Sequence, residues 1–191
     1  MNLPLIDEVS APPPAWGFAI LWVAVFVAPI AVAPDLLAGT IMFVPISAAA
    51  TGFLLAPYLS RPWVWVRNTV LALGLLATVY GLFFIVFPVL LPGAGVVVGL
   101  FQSSAFVSNG ENWSTSWRAR AWVWVSGLTW LAMYVVPWLF TGEPFRLDMS
   151  LDRQVALLAF FIGGAVSCAG MLWILRKVPE RRDDASEQPP R

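Results

Sequence analysis

From Asn68 to Gly110 the chain carries no charged residue, and from Gly17 to Ser60 it carries only Asp35. A helical bilayer span needs about 20 consecutive apolar residues. Both stretches are long enough to supply spans, and few soluble folds tolerate either. Composition points the same way. Charged residues make up 12% of the chain and apolar residues 59%, where an ordinary soluble domain is roughly 25% charged. The expected fold class is an all-α integral membrane protein, a bundle of about six transmembrane helices.

Punctuation along the chain divides it into three regions: an N-terminal arm over 1–14, a transmembrane domain over 15–175 and a polar tail over 176–191 that is too charged to pack. Within the domain the first span runs from Ala15 to Ala33, followed by a Pro34-Asp35 turn. The second runs from Leu36 to Leu59. Ser60-Arg61-Pro62 then leads to a third from Trp63 to Leu91, with Pro92-Gly93 as a tight turn. Gly93 to Val107 is a short apolar segment, read as the fourth span. Ser108 to Ser116 is a polar loop. The fifth span covers Ala119 to Phe140, Thr141 to Gln154 forms a charged loop, and the sixth span covers Val155 to Leu175.

Positive charge favours cytoplasmic loops, which tests the short fourth segment. With six spans and the N-terminus inside, the inner side holds Arg61, Arg67, Arg118, Arg120, Arg176, Lys177, Arg181, Arg182 and Arg191. The outer side holds only Arg146 and Arg153. A five-span arrangement separates charge less well. Both termini are therefore expected in the cytoplasm, in a multi-pass protein of the cell membrane. Arg predominates over the single Lys177, and Ala, Gly, Pro, Val and Trp are abundant, so a prokaryotic inner or plasma membrane is expected. Asp7 and Glu8, with no basic residue before Arg61, argue against a cleaved leader despite Ala31-Val32-Ala33. Trp16, Trp63, Trp65, Trp117, Trp122, Trp124 and Trp173 fall near the inner boundary and read as an interfacial belt, with Trp138 opposite.

Two segments repeat. Arg61-Pro62-Trp63-Val64-Trp65-Val66 matches Arg120-Ala121-Trp122-Val123-Trp124-Val125 at five of six positions. The match is read either as the trace of a duplication or as one interfacial solution reached twice.

Several functions are disfavoured. The chain has no histidine and a single cysteine, Cys168, so imidazole catalysis, His-ligated haem and cysteine-rich metal sites are not expected. No cofactor, metal or catalytic residue is assigned, and the chain is read as no enzyme. A net charge of zero offers nothing to nucleic acid. Asp35, Arg61, Arg67, Glu111, Arg118, Arg120, Glu143 and Arg176 all sit at predicted boundaries or in loops, so no charged residue lies deep in a span, where it would mark a coupled-ion pathway. Glu143, Asp148 and Asp152 read as a solvated loop, and the Asn112-Trp113-Ser114 sequon lies on the inner side.

The candidate solute-lining residues are Gln102, Ser103 and Ser104, the most polar stretch in any span. Gly95 and Gly99, and Gly163, Gly164 and Ser167, are small residues at helical spacing that let helices approach closely. They are read as packing residues or as the seam of a homodimer. Expected partners are the lipid bilayer and other membrane subunits. The function read from these features is a small permease membrane subunit or a carrier for a neutral or apolar solute. The alternative is a structural or assembly partner of another membrane complex.

Overall fold

A computed structural model describes residues 16–34, 36–59, 61–82, 87–107, 116–142 and 153–176. Among these residues the fold is all helical: α1 (Trp16–Val32), α2 (Leu36–Leu55), α3 (Pro62–Leu82), α4 (Phe87–Ser103) with a 3-10 turn at Ser104–Phe106, α5 (Trp117–Thr141) and α6 (Arg153–Arg176). Two of them, α5 and α6, are long and apolar enough to cross a membrane; α1 is equally apolar but only 17 residues long. The expected arm over 1–14 and the tail beyond Arg176 lie outside the described residues, as do Glu143, Asp148, Asp152 and the Asn112 sequon.

The helices form a closed ring. Each packs on its neighbour in chain order, and α6 closes on α1. Neighbours run antiparallel: Phe26 of α1 meets Phe43 of α2 and Gly164 of α6, while Trp22, one turn earlier, meets Ser167. The start of α1 and the end of α6 therefore lie at the same end of the ring.

The buried polar side chains are gathered inside the ring among a larger apolar core, and the outer face is apolar. Ser47, Thr51, Asn68, Thr69, Gln102, Ser126, Thr129 and Ser167 are buried, whereas Ile20, Phe53, Leu71, Leu128, Leu139 and Phe161 are exposed.

Local chemistry sets the ends of α5. The Ser116 hydroxyl accepts from the Ala119 amide at 3.4 Å, and Gly142 closes the helix at φ 71°, donating its N–H to Trp138 O at 2.9 Å. These are the expected uses of serine at a helix start and glycine just past a helix end. Arg153 closes another end. It is the first residue of α6, and its guanidinium donates to the terminal carbonyls of α1, Ile30 O, Ala31 O and Ala33 O, at 3.1, 2.7 and 2.6 Å. Those carbonyls have no intrahelical partner, and a cation there suits the helix dipole. Arg153 was expected in a solvated loop; it joins two helices instead.

The third and fourth helices depart from the expected boundaries. α3 stops at Leu82 rather than Leu91, and α4 begins at Phe87. Pro92-Gly93 makes no turn: both residues lie inside α4. Pro88 falls in its first turn, where amides lack intrahelical acceptors anyway, so proline costs little there. α4 ends at Ser103, so Gln102 sits one residue from the end of the helix.

Candidate functional site

All six helices converge on one cavity. Trp22 and Phe26 come from α1; Phe43, Ser47 and Thr51 from α2; Trp65, Thr69 and Leu73 from α3. Val98 and Gln102 come from α4, Trp122, Ser126, Thr129 and Trp130 from α5, and Ser167 from α6. The cavity holds about 50 Å³ of space for water-sized groups. None of these residues ionises at neutral pH.

A relay of hydrogen bonds runs around the wall. The Trp122 indole N–H donates to Gln102 Oε1 at 2.8 Å, and Gln102 Nε2 donates to Thr69 Oγ1 at 2.8 Å. The Thr69 hydroxyl donates to Trp65 O at 2.8 Å, and the Trp65 indole donates to Thr51 Oγ1 at 2.9 Å. Thr51 in turn donates to Ser47 O. This path ties α5 to α4, α3 and α2. Across the ring, Trp22 Nε1 donates to Ser167 Oγ at 3.1 Å, tying α1 to α6. An indole can only donate, so Trp122 fixes which end of the Gln102 amide is the oxygen.

The local reason for the inward face is helical spacing. Trp65, Asn68, Thr69, Ala72 and Leu73 form one stripe of α3, and Trp122, Ser126 and Thr129 form one stripe of α5. The rings of Trp65 and Trp122 lie 5.1 Å apart, with Phe106 at 5.8 and 6.1 Å from them. These separations suit tilted aromatic packing. Trp65 and Trp122 were expected in an interfacial belt; both lie near the starts of their helices but turn into the ring, where each indole finds a buried acceptor.

Of the three candidate lining residues, Gln102 faces the cavity. Ser103 is buried but outside the cavity wall, its hydroxyl donating to Leu100 O at 2.6 Å. Ser104, in the 3-10 turn, accepts from Asn68 Nδ2 at 2.7 Å and donates to Phe101 O at 3.1 Å. Asn68 also donates to Phe101 O at 2.8 Å, so it holds the turn at the end of α4.

Glycines permit the close helix approach behind this wall. A Cβ on Gly95 would lie 2.5 Å from Ser126 O, and one on Gly99 would lie 2.9 Å from Val123 Cα. One on Gly163 would strike Met133, and one on Gly164 would press on Phe26 at 3.1 Å. Gly163 and Gly164 are thus used against α5 and α1 of the same chain, while Ser167 contributes to the cavity wall.

Thr51, Thr69, Ser126, Thr129, Trp22, Trp65 and Trp122 were not singled out as lining residues from sequence. A usable signal was present: Ser47 with Thr51, Trp65 with Thr69 and Trp122 with Ser126 each lie four residues apart in otherwise apolar helices. Among the described residues no group of three or more acidic, cysteine or histidine side chains is placed to hold a metal. Compared with known proteins, the chain matches no family, no curated relative and no solved structure.

Proposed function

We propose that this chain is a multi-pass membrane protein whose helix ring binds and passes a small neutral solute, as a carrier or as the membrane subunit of a permease. The observation that carries this reading is the gathering of polar side chains at one central cavity. Hydroxyls, an amide and indole N–H groups face a central cavity, while Phe, Leu and Ile side chains face outward. In hydrocarbon a polar group is costly unless it finds a partner, so an apolar exterior suits lipid and the polar side chains collect within the ring. An uncharged wall suits an uncharged solute, because an ion would surrender its hydration for no compensating charge.

Six spans with both termini in the cytoplasm follow from the charge distribution and fit the antiparallel order of the ring. Reporters active only outside the cytoplasm are expected to be silent when fused at Arg191 and active near Asp148. The functional test is reconstitution into liposomes. Stopped-flow light scattering should show uptake of small uncharged solutes faster than in protein-free vesicles, with no gain for their charged isosteres. Rates should be flat from about pH 5 to 9, since the cavity wall has no group titrating there. No acceleration for any neutral solute, in vesicles holding folded protein, overturns the transport reading.

A further inference from the structure

Most donor protons around the cavity are already committed. The indole N–H groups of Trp22, Trp65 and Trp122 have protein acceptors, and the hydroxyl protons of Thr51, Thr69 and Thr129 go to backbone carbonyls. Ser126 differs. It is 4% exposed and lines the cavity, yet among the described residues no hydrogen bond engages its hydroxyl. Buried hydroxyls nearly always have a partner. No fully sealed side-chain nitrogen or oxygen is left unsatisfied in the described residues, so the Ser126 hydroxyl borders the cavity space rather than apolar atoms.

Two further protons border the same space. Ser167 accepts from Trp22 and has no partner for its own proton among the described residues. The Gln102 amide spends one N–H on Thr69 and has a second. The uncommitted groups thus offer both kinds of partner, protons from Ser126, Ser167 and the Gln102 amide and the remaining hydroxyl lone pairs, and they suit an occupant with an acceptor oxygen that can itself donate. Phe26, Phe43, Leu73, Val98 and the Trp130 ring contribute apolar surface to the wall and suit hydrocarbon. A volume of about 50 Å³ is roughly a third of a ~150 Å³ cavity that accommodates benzene.

We infer that Ser126 is a ligand-contact residue, and that the cavity takes an uncharged amide or alcohol of about two to four non-hydrogen atoms. This rests on the proposed solute site and narrows its occupant. The carbonyl or hydroxyl oxygen accepts from Ser126, and the short carbon chain lies against the aromatic wall. A carboxylate of the same size is rejected, since no cation in the wall offsets its desolvation.

Acetamide is the probe and acetate its charged isostere. Trp22, Trp65, Trp122 and Trp130 line the cavity, so occupancy should change intrinsic fluorescence of the full chain in detergent. A saturable acetamide response is expected, with a dissociation constant in the millimolar range, because even an ideal ligand of about four non-hydrogen atoms reaches only about tens of micromolar. Acetate at equal ionic strength should give no saturable response. Ser126→Ala should weaken acetamide roughly three- to tenfold through loss of one hydrogen bond, and Ser126→Thr should restore most of it. Thermal unfolding of each variant checks that it is folded. If Ser126→Ala does not fold, discrimination between acetamide and acetate by the unaltered chain still decides the ligand class. A linear response, an equal response to acetate, or unchanged affinity in folded Ser126→Ala overturns the inference. Saturable binding without flux in vesicles leaves the site standing and removes the carrier reading. Flux that Ser126→Ala leaves untouched does the reverse.

Discussion

The two Arg-x-Trp-Val-Trp-Val segments are nearly identical in sequence and opposite in structure. In α3 the first tryptophan, Trp63, is 72% exposed and the second, Trp65, is 1% exposed. In α5 the first, Trp122, is 3% exposed and the second, Trp124, is 72% exposed. Residues two apart on a helix point to nearly opposite sides, so only one of each pair can face the lumen. The next two turns of each helix make the choice. Asn68, Thr69 and Ala72 lie three, four and seven residues after Trp65, on its face. Ser126 and Thr129 lie four and seven after Trp122, on its face. Small and polar residues thus set the inner stripe, and the tryptophan sharing that stripe goes inside. A duplication that preserved packing would have kept the same tryptophan inside twice. The shifted phase favours one chemical solution reached separately on two helices.

The largest expected effects come from this pair. Trp65→Ala and Trp122→Ala should each destabilise the fold by on the order of 3 kcal/mol, through lost packing and a stranded acceptor. Trp63→Ala and Trp124→Ala should stay within about 0.5 kcal/mol, as exposed positions do. Unfolding in mixed micelles measures all four, and equal losses for Trp63 and Trp65 would break the comparison.

Gln102→Leu tests the bridge between the two segments. It leaves the Trp122 indole without its acceptor, at a cost of about 1–3 kcal/mol. Gln102 is bonded to both α3 and α5, so stability should fall even where the cavity remains open; an unchanged unfolding midpoint would remove its structural role.

Threonines on the two stripes give a smaller contrast. Thr69 accepts from Gln102 as well as bonding its own helix, whereas the Thr129 hydroxyl donates only to Val125 O. Thr69→Val is expected to cost about 0.6–1.7 kcal/mol, the range of interhelical hydrogen bonds within membranes. Thr129→Val should cost less, and a reversed order would count against the relay.

The smallest effect is spectroscopic. In vesicles containing brominated lipid, the fluorescence lost on replacing Trp63 or Trp124 with Phe should be the quenchable part, and stability should stay unchanged. Replacing Trp65 or Trp122 with Phe should leave quenching as it was. Equal quenching of both classes would place Trp65 and Trp122 at the outer surface.

Much was legible in the residues alone. Helix content follows from long charge-free stretches, since a backbone among apolar groups must satisfy its own hydrogen bonds. The start of α1 at Trp16 and of α2 at Leu36 also agrees with the expected boundaries to within one residue, because Pro34-Asp35 is a polar break. Gln102 was visible as an unusual amide in an apolar run. Local signals failed where two physical demands competed. Pro92-Gly93 has turn residues, but surrounding apolarity kept them helical. Tryptophan suits both an interface and a hydrogen-bonded core, and its position near a chain boundary could not separate the two. Which tryptophan turns inward, that Arg153 reaches the end of α1, and that Ser126 is left with an open hydroxyl all depend on side chains from different helices. Trp22 meets Ser167 across 145 positions of sequence and Arg153 meets Ile30 across 123. Helical periodicity is a property of one segment, so the sequence determined that there would be helices with a polar stripe. Only the closure of the ring decided which stripes share a cavity, because hydrogen-bond partners are assigned in three dimensions.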